Sequence, residues 1–126
     1  MPEINFFIEM QPVPKARARV TRTGHAYTPK RTLDAEKFIR IFAERFAPRE
    51  KITGPIVLML QFCMKQQKKN QSGLYHIKRP DLDNLTKTVM DALSDFWHDD
   101  AQVAELRCVK KYRNLPGVDV TIQYWE

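Results

Sequence analysis

Six aspartates fall within 20 positions of the segment KRPDLDNLTKTVMDALSDFWHDDAQV: Asp81, Asp83, Asp91, Asp95, Asp99 and Asp100. Carboxylates do not gather for stability. Two like charges about 4 Å apart repel by roughly 4 kcal/mol at an effective dielectric near 20, so a close cluster needs a cation, a proton or distance. Mg2+ is the natural answer, because a hard divalent cation chooses oxygen ligands and keeps several waters. Beside a phosphodiester such a cation polarises the ester and activates water, and a neighbouring ammonium stabilises the charge of the pentacoordinate state. Lys87 has the spacing for that role. If Asp81 caps a helix, Asp83, Lys87 and Met90/Asp91 lie a turn apart along one face, opposite the stripe of Leu82, Leu85 and Val89. Asp99 and Asp100 return beside them if the following loop doubles back.

The same residues have purely structural readings. A helix cap and a dipole contact, each worth about 1 kcal/mol, account for Asp81 and Asp83. An i, i+4 ion pair accounts for Lys87. Asp91 and Asp95 read equally as solvated charges, and His98 has no second histidine at ligand spacing.

Charge is unevenly distributed. Residues 1–79 carry 16 Lys/Arg against 6 Asp/Glu, whereas residues 80–126 carry 5 against 9. A basic half joined to an acidic cluster suits a protein that holds a polyanion and presents a metal to it. Lys15, Arg17, Arg19 and Arg22 in the first basic stretch, and Lys68, Lys69, Lys78 and Arg79 in the second, are the candidate nucleic-acid contacts.

The positioning elements follow from periodicity. INFFIEM alternates Ile4, Phe6, Ile8 and Met10 on one side and reads as a half-buried strand. Residues 11–31 hold three prolines, a glycine and six basic residues, which predicts a long basic loop without regular structure. Ala35, Phe38, Ile39, Phe42, Ala43 and Phe46 recur at helical spacing from about Thr32 to Phe46. PIVLMLQFCM suits a central strand covered on both faces. A polar, basic connection leads to the helix that follows DLDN, with Leu82, Leu85, Val89 and Leu93 as its buried stripe. Two final strands are expected, one over Val103 to Tyr112 with Ala104, Leu106 and Cys108 in phase, and one over Val118 to Trp125, joined by a hairpin turn at Asn114 to Gly117. The expected fold is therefore α+β: a single domain over residues 1–126, with two helices packed on a mixed sheet in the order β-α-β-α-β-β. Its 126 residues, 43% hydrophobic, suffice for one core. Cys63 and Cys108, in apolar strands and far from any zinc spacing, are expected to be reduced core residues. No stretch reaches the roughly 20 apolar residues of a membrane span, and MPEINFF lacks the parts of a signal peptide, so the expected location is the cytoplasm.

A longer pattern runs through these elements. Arg79-Pro80-Asp81-Leu82-Asp83-Asn84-Leu85, then Lys87, Met90-Asp91-Ala92-Leu93, Trp97, Asp99-Asp100-Ala101-Gln102-Val103 and Lys110 closely resemble the signature of RusA-like Holliday junction resolvases. Pro12-Val13-Pro14-Lys15-Ala16-Arg17-Ala18-Arg19 looks like the basic loop of that family, although KARAR stands where its members often place a glycine or proline between the basic residues. The resemblance covers essentially the whole chain. It implies a homodimer that binds four-way DNA junctions and cuts paired strands with Mg2+, for which Mn2+ can substitute. The implied ligands are Asp81, Asp83 and Asp100, with Lys87 as the essential basic residue and Asn84, Asp91 and Asp99 as site support.

Two other functions stay open on sequence alone. A different magnesium nuclease, acting on flaps or simple branches, needs the same site. A non-enzymatic nucleic-acid-binding module accounts for the basic stretches but not for the aspartates, which weaken attraction to phosphate.

Overall fold

The computed structural model describes residues 1–125. Its main elements are β1 (Glu3–Glu9), β2 (Arg19–Val20), β3 (Ala26–Tyr27), α1 (Lys30–Ala43), β4 (Ile56–Lys65), α2 (Leu82–Ala92), β5 (Val103–Arg113) and β6 (Gly117–Tyr124). The expected β-α-β-α-β-β succession is present, with one addition. Within the basic loop β2 and β3 pair as a short antiparallel hairpin. Its turn is closed by Thr21 N–H donating to the His25 carbonyl at 2.9 Å, and Gly24 takes the positive φ of 86° that an L side chain rarely adopts.

The four long strands form one mixed sheet in the order β1-β6-β4-β5. β6 runs antiparallel to both β1 and β4, whereas β4 and β5 are parallel. This order corrects the expected hairpin of the last two strands. β5 and β6 are not paired; β4 lies between them, and Asn114–Pro116 straddle its end. The reason lies in composition. The apolar β4 gains most from a partner on each side, while the charged β5, AELRCVKKYR after its first residue, tolerates an edge.

A parallel pair needs a crossover connection, and α2 supplies it between β4 and β5. Both helices contribute to one core on one face of the sheet. Ile39 and Ala43 of α1 and Leu85, Val89 and Ala92 of α2 pack with Phe6, Ile8, Leu58, Leu60, Phe62, Val118, Val120 and Ile122. The opposite face carries Asn5, Met59, Gln61, Arg107 and Thr121, exposed or half-buried, so β4 is central but covered by helices on one side only. The buried stripe of α1 also differs from expectation. Thr32, Ala35, Glu36, Ile39 and Ala43 are buried, and Phe38 is left 49% exposed. The helix starts at Lys30 and its contact face is rotated toward Thr32 and Glu36, which the loop before it covers. No helix among the described residues is long and apolar enough to cross a membrane.

Candidate metal centre and nucleic-acid surface

Asp81 occupies the N-cap position of α2 with extended backbone, φ −71° and ψ 142°, yet its side chain makes no capping hydrogen bond. The carboxylate of Asp83, in the first turn, accepts from Asn84 N–H at 2.9 Å. Lys87 lies one turn on, exposed, and no ion pair joins it to Asp83 among the described residues. The simple i, i+4 pair is thus not formed. Both groups face an open cleft.

That cleft, about 640 Å³, runs between α2 and the edge strand β5. Its floor is Leu82, Thr86, Met90, Leu106 and Cys108, and its charged residues are Asp83, Lys87, Asp91 and Asp100. Asp100 comes from the turn before β5, so the loop after α2 does double back. Trp97, almost fully buried, sets that turn by donating from its indole Nε1 to Asp100 Oδ1 at 2.8 Å. Asp99 serves the turn itself: its Oδ1 accepts from Ala101 N–H, while Gln102 Oε1 accepts from the N–H groups of His98 and Asp99, each at 2.8 Å. This is a capping box. Gln102 Nε2 then donates to the carbonyls of Ile52 and Gly54, pinning the turn to the body of the domain. The spacing of Asp99 and Gln102 is a capping-box signal that sequence reading passed over.

Asp81 falls outside this cleft. It lines an adjacent one, also about 640 Å³, with Pro14, Lys15, Ala16, Arg17, Arg79, Pro80 and Asn84. Among the described residues, no three His, Cys, Asp or Glu side chains converge closely enough to hold a metal ion. The expected trio is therefore divided, with Asp83 and Asp100 on one cleft and Asp81 around the helix start. The donor chemistry nevertheless fits a hard divalent cation: every acidic group is an exposed or half-exposed carboxylate, and no soft ligand joins them except Cys108 on the floor. Burial pushes the Cys108 thiol up, against a Thr86 hydroxyl 3.3 Å away that pulls it down. Half-buried Cys108 packs against the core and also lines the cleft, whereas Cys63 is buried; both are free thiols.

The segment before Asp81 is held by β5. His76 N–H donates to the Lys110 carbonyl at 2.9 Å, and Lys110 Nζ donates to the carbonyls of Lys78 and Pro80 at 2.5 and 2.7 Å. Lys110 therefore fixes the approach to Asp81. Asn84 contributes its carbonyl, which accepts from Lys15 N–H at 2.8 Å. Asp95 and His98 are exposed and line neither cleft.

Of the candidate DNA contacts, Arg17, Arg19, Arg22, Lys68, Lys69, Lys78 and Arg79 are all exposed. Lys15 is different. Its ammonium lies between Glu36 and Asp91, at 2.5 and 3.0 Å, with the side chain only 20% exposed. Glu36 was not marked by sequence, because an acid within a helix reads as a solvated face until its partner, distant in the chain, is known.

Comparisons with known proteins agree with the signature in the chain. Residues 9–123 match the family described as Endodeoxyribonuclease RusA. A protein of Bacillus subtilis (strain 168), described as Uncharacterized protein YqaN, is 30% identical in an alignment that covers 95% of each chain.

Proposed function

Because the chain belongs to the endodeoxyribonuclease RusA family, we propose that it resolves four-way (Holliday) DNA junctions by paired phosphodiester hydrolysis, in recombination and repair, as a cytoplasmic homodimer using Mg2+. Asp81, Asp83 and Asp100 are the proposed ligands, and Mn2+ is the expected substitute. The observation that carries this reading is the gathering of Asp83, Lys87, Asp91 and Asp100 on one cleft, whose edge at Asp91 is bound by Lys15 at the root of the exposed basic arm.

When bound, the cation supplies Lewis-acid polarisation of the phosphodiester and lowers the pKa of water. The residues of the chain do the rest. Asp83 and Asp100 offer oxygen ligands from α2 and from the turn before β5. The Asp81 side chain makes no capping bond, and in this proposal it turns toward them. Lys87, unpaired with Asp83, places a positive charge where negative charge grows on the phosphoryl oxygens. Arg17, Arg19, Arg22, Lys68, Lys69, Lys78 and Arg79 attract the backbone. A four-way junction presents two symmetry-related strands, so paired incision calls for a twofold dimer with one cleft per subunit.

The test is cleavage of a four-way junction, a flap and a linear duplex of matched length, with Mg2+ and with EDTA. Symmetric paired cuts in the junction, dependent on Mg2+, are expected. Preferential cutting of the flap contradicts the junction reading, and binding of all three without cutting assigns the chain to a binding module.

A further inference from the structure

The arm formed by β2 and β3 leaves the domain through a cluster of which only Asp91 belongs to the proposed site. Lys15 Nζ lies 2.5 Å from Glu36 Oε1 on α1 and 3.0 Å from Asp91 Oδ2 on α2. The Glu36 side chain is 10% exposed and that of Asp91 32%, so the pairing is largely shielded from solvent. Backbone bonds reinforce it. Lys15 N–H donates to the Asn84 carbonyl at 2.8 Å, Ala16 N–H donates to Thr32 Oγ1 at 3.1 Å, and the Thr32 hydroxyl donates to the Pro14 carbonyl at 3.3 Å. Three parts of the chain meet here: the root of the arm, α1, and the edge of the cleft, which Asp91 lines.

The charges around Lys15 argue against the phosphate contact expected of it from sequence. Two carboxylates share one ammonium, which leaves a net negative charge at the cleft edge and holds the lysine by two charge-assisted bonds. Burial acts to lower the Lys15 pKa, but the hydrogen bonds and charges of Glu36 and Asp91 outweigh it and raise the value, so the ammonium stays charged. To reach a phosphate, Lys15 has to abandon both partners and leave Glu36 buried without a counter-charge, which is costly. From Arg17 to Tyr27, by contrast, every residue is exposed.

We propose that Lys15, Glu36 and Asp91 form an ionic clasp that positions the basic arm relative to the carboxylate cleft, with Lys15 a positioning residue rather than a phosphate contact. The inference rests on the nuclease reading for what arm and cleft hold, and not for the clasp itself. A segment held in its binding orientation loses less entropy when it engages a ligand. Release of the clasp therefore weakens DNA binding without removing a charge from the contact set.

Two measurements on the full chain test this. In the first, junction affinity is titrated against salt in Ca2+ for wild type, Lys15→Met, Lys15→Arg and Arg17→Ala. Lys15→Met is expected to bind several-fold more weakly with an unchanged slope of log affinity against log salt, and Lys15→Arg to recover the loss. Arg17→Ala is expected to flatten the slope by about 0.9 per subunit. A Lys15→Met slope reduced like that of Arg17→Ala makes Lys15 a phosphate contact and overturns the proposal, and so does unchanged affinity in a folded Lys15→Met protein. The second uses wild type alone and needs no variant to fold: amine-reactive labelling read by mass spectrometry, with and without junction DNA. Lys15 should label slowly in both states while Lys68 and Lys69 label fast in the free protein. Fast labelling of Lys15 in the free protein, suppressed by DNA, rejects the clasp. Failure of wild type to bind branched DNA refutes the nuclease reading instead, and labelling of the free protein still decides the clasp.

Discussion

The indole Nε1 of Trp97 donates to Asp100 Oδ1 at 2.8 Å, so the bulkiest fully buried side chain of the domain holds one oxygen of a cleft carboxylate. A buried indole N–H needs a partner. That need places Asp100 at the cleft, and a carboxylate held by one oxygen leaves the other available to the proposed cation.

Substitutions on the two sides of this bond should separate. Trp97→Phe removes the donor and part of the packing, which should cost about 2–4 kcal/mol in chemical denaturation and slow cleavage about 100-fold through misplacement of Asp100. Asp100→Asn keeps an acceptor for the indole, so it should melt close to wild type and lose cleavage. Equal thermal losses in the two variants contradict this division of roles.

Asp99 and Gln102 should behave as structural residues. Gln102→Ala removes two acceptor bonds and two donor bonds from the turn and should destabilise by about 1–3 kcal/mol. Asp99→Asn retains a capping oxygen and should keep both stability and most activity, as judged by melting and by single-turnover cleavage. Complete loss of cleavage in a stable Asp99→Asn protein moves Asp99 into the chemistry.

The basic arm predicts a salt effect. If Arg17, Arg19 and Arg22 each contact a phosphate in both subunits of a dimer, the triple alanine variant should reduce the slope of log affinity against log salt by about 5. Stability should change by less than about 0.5 kcal/mol, because these are exposed charges. An unchanged slope in junction titration assigns the arm to solubility. Sedimentation that finds only monomers, free and DNA-bound, contradicts paired incision.

His76 predicts a pH effect on stability. It is buried against the Tyr112 ring, with centroids 4.8 Å apart, and Nδ1 has no hydrogen-bond partner. Burial, then the charges of Lys110 and Lys78, hold its pKa below the usual 6.5, against a backbone hydrogen bond that raises it. The unfolded chain therefore binds this proton more readily than the folded one, so stability falls as pH drops below about 6.5 until the folded-state pKa is passed. Denaturation of wild type and His76→Phe across pH 5 to 7.5 should show a steeper acid loss in wild type. Identical profiles rule out His76 as the source.

Local features were legible in the sequence to the extent that their partners are local. The stripe of Leu85, Val89 and Leu93 and the alternation of Val118, Val120 and Ile122 predict an amphipathic helix and a half-buried strand, and both form as expected. The pairing of β5 with β4 rather than β6 was not legible, because strand order depends on which strand gains most from a central place, a comparison across the whole sheet. Likewise, the aspartate cluster marks the cleft, but its spacing does not reveal that Asp81 turns to one side of α2 and Asp83 to the other. The partners that restrain Lys15, Glu36 and Asp91, lie on two different helices, and only the packing of α1 on α2 brings them together.

The metal itself gives a further prediction. Ca2+ coordinates more loosely and at longer distance than Mg2+, so it should support junction binding with little cutting, while Mg2+ and Mn2+ support both. Efficient cleavage in EDTA contradicts a metal mechanism.

Single-turnover cleavage of a four-way junction by wild type and Asp83→Asn in Mg2+, with binding measured in parallel in Ca2+, tests the central claim most directly. Asp83→Asn removes one proposed ligand and one negative charge facing DNA, so binding should be retained or tightened while cleavage is lost; Asp81→Asn should match it, and Lys87→Ala should lose rate more than affinity. Near-wild-type cleavage by Asp83→Asn would contradict the account, because it would place the chemistry outside the cleft that Asp83 and Asp100 share.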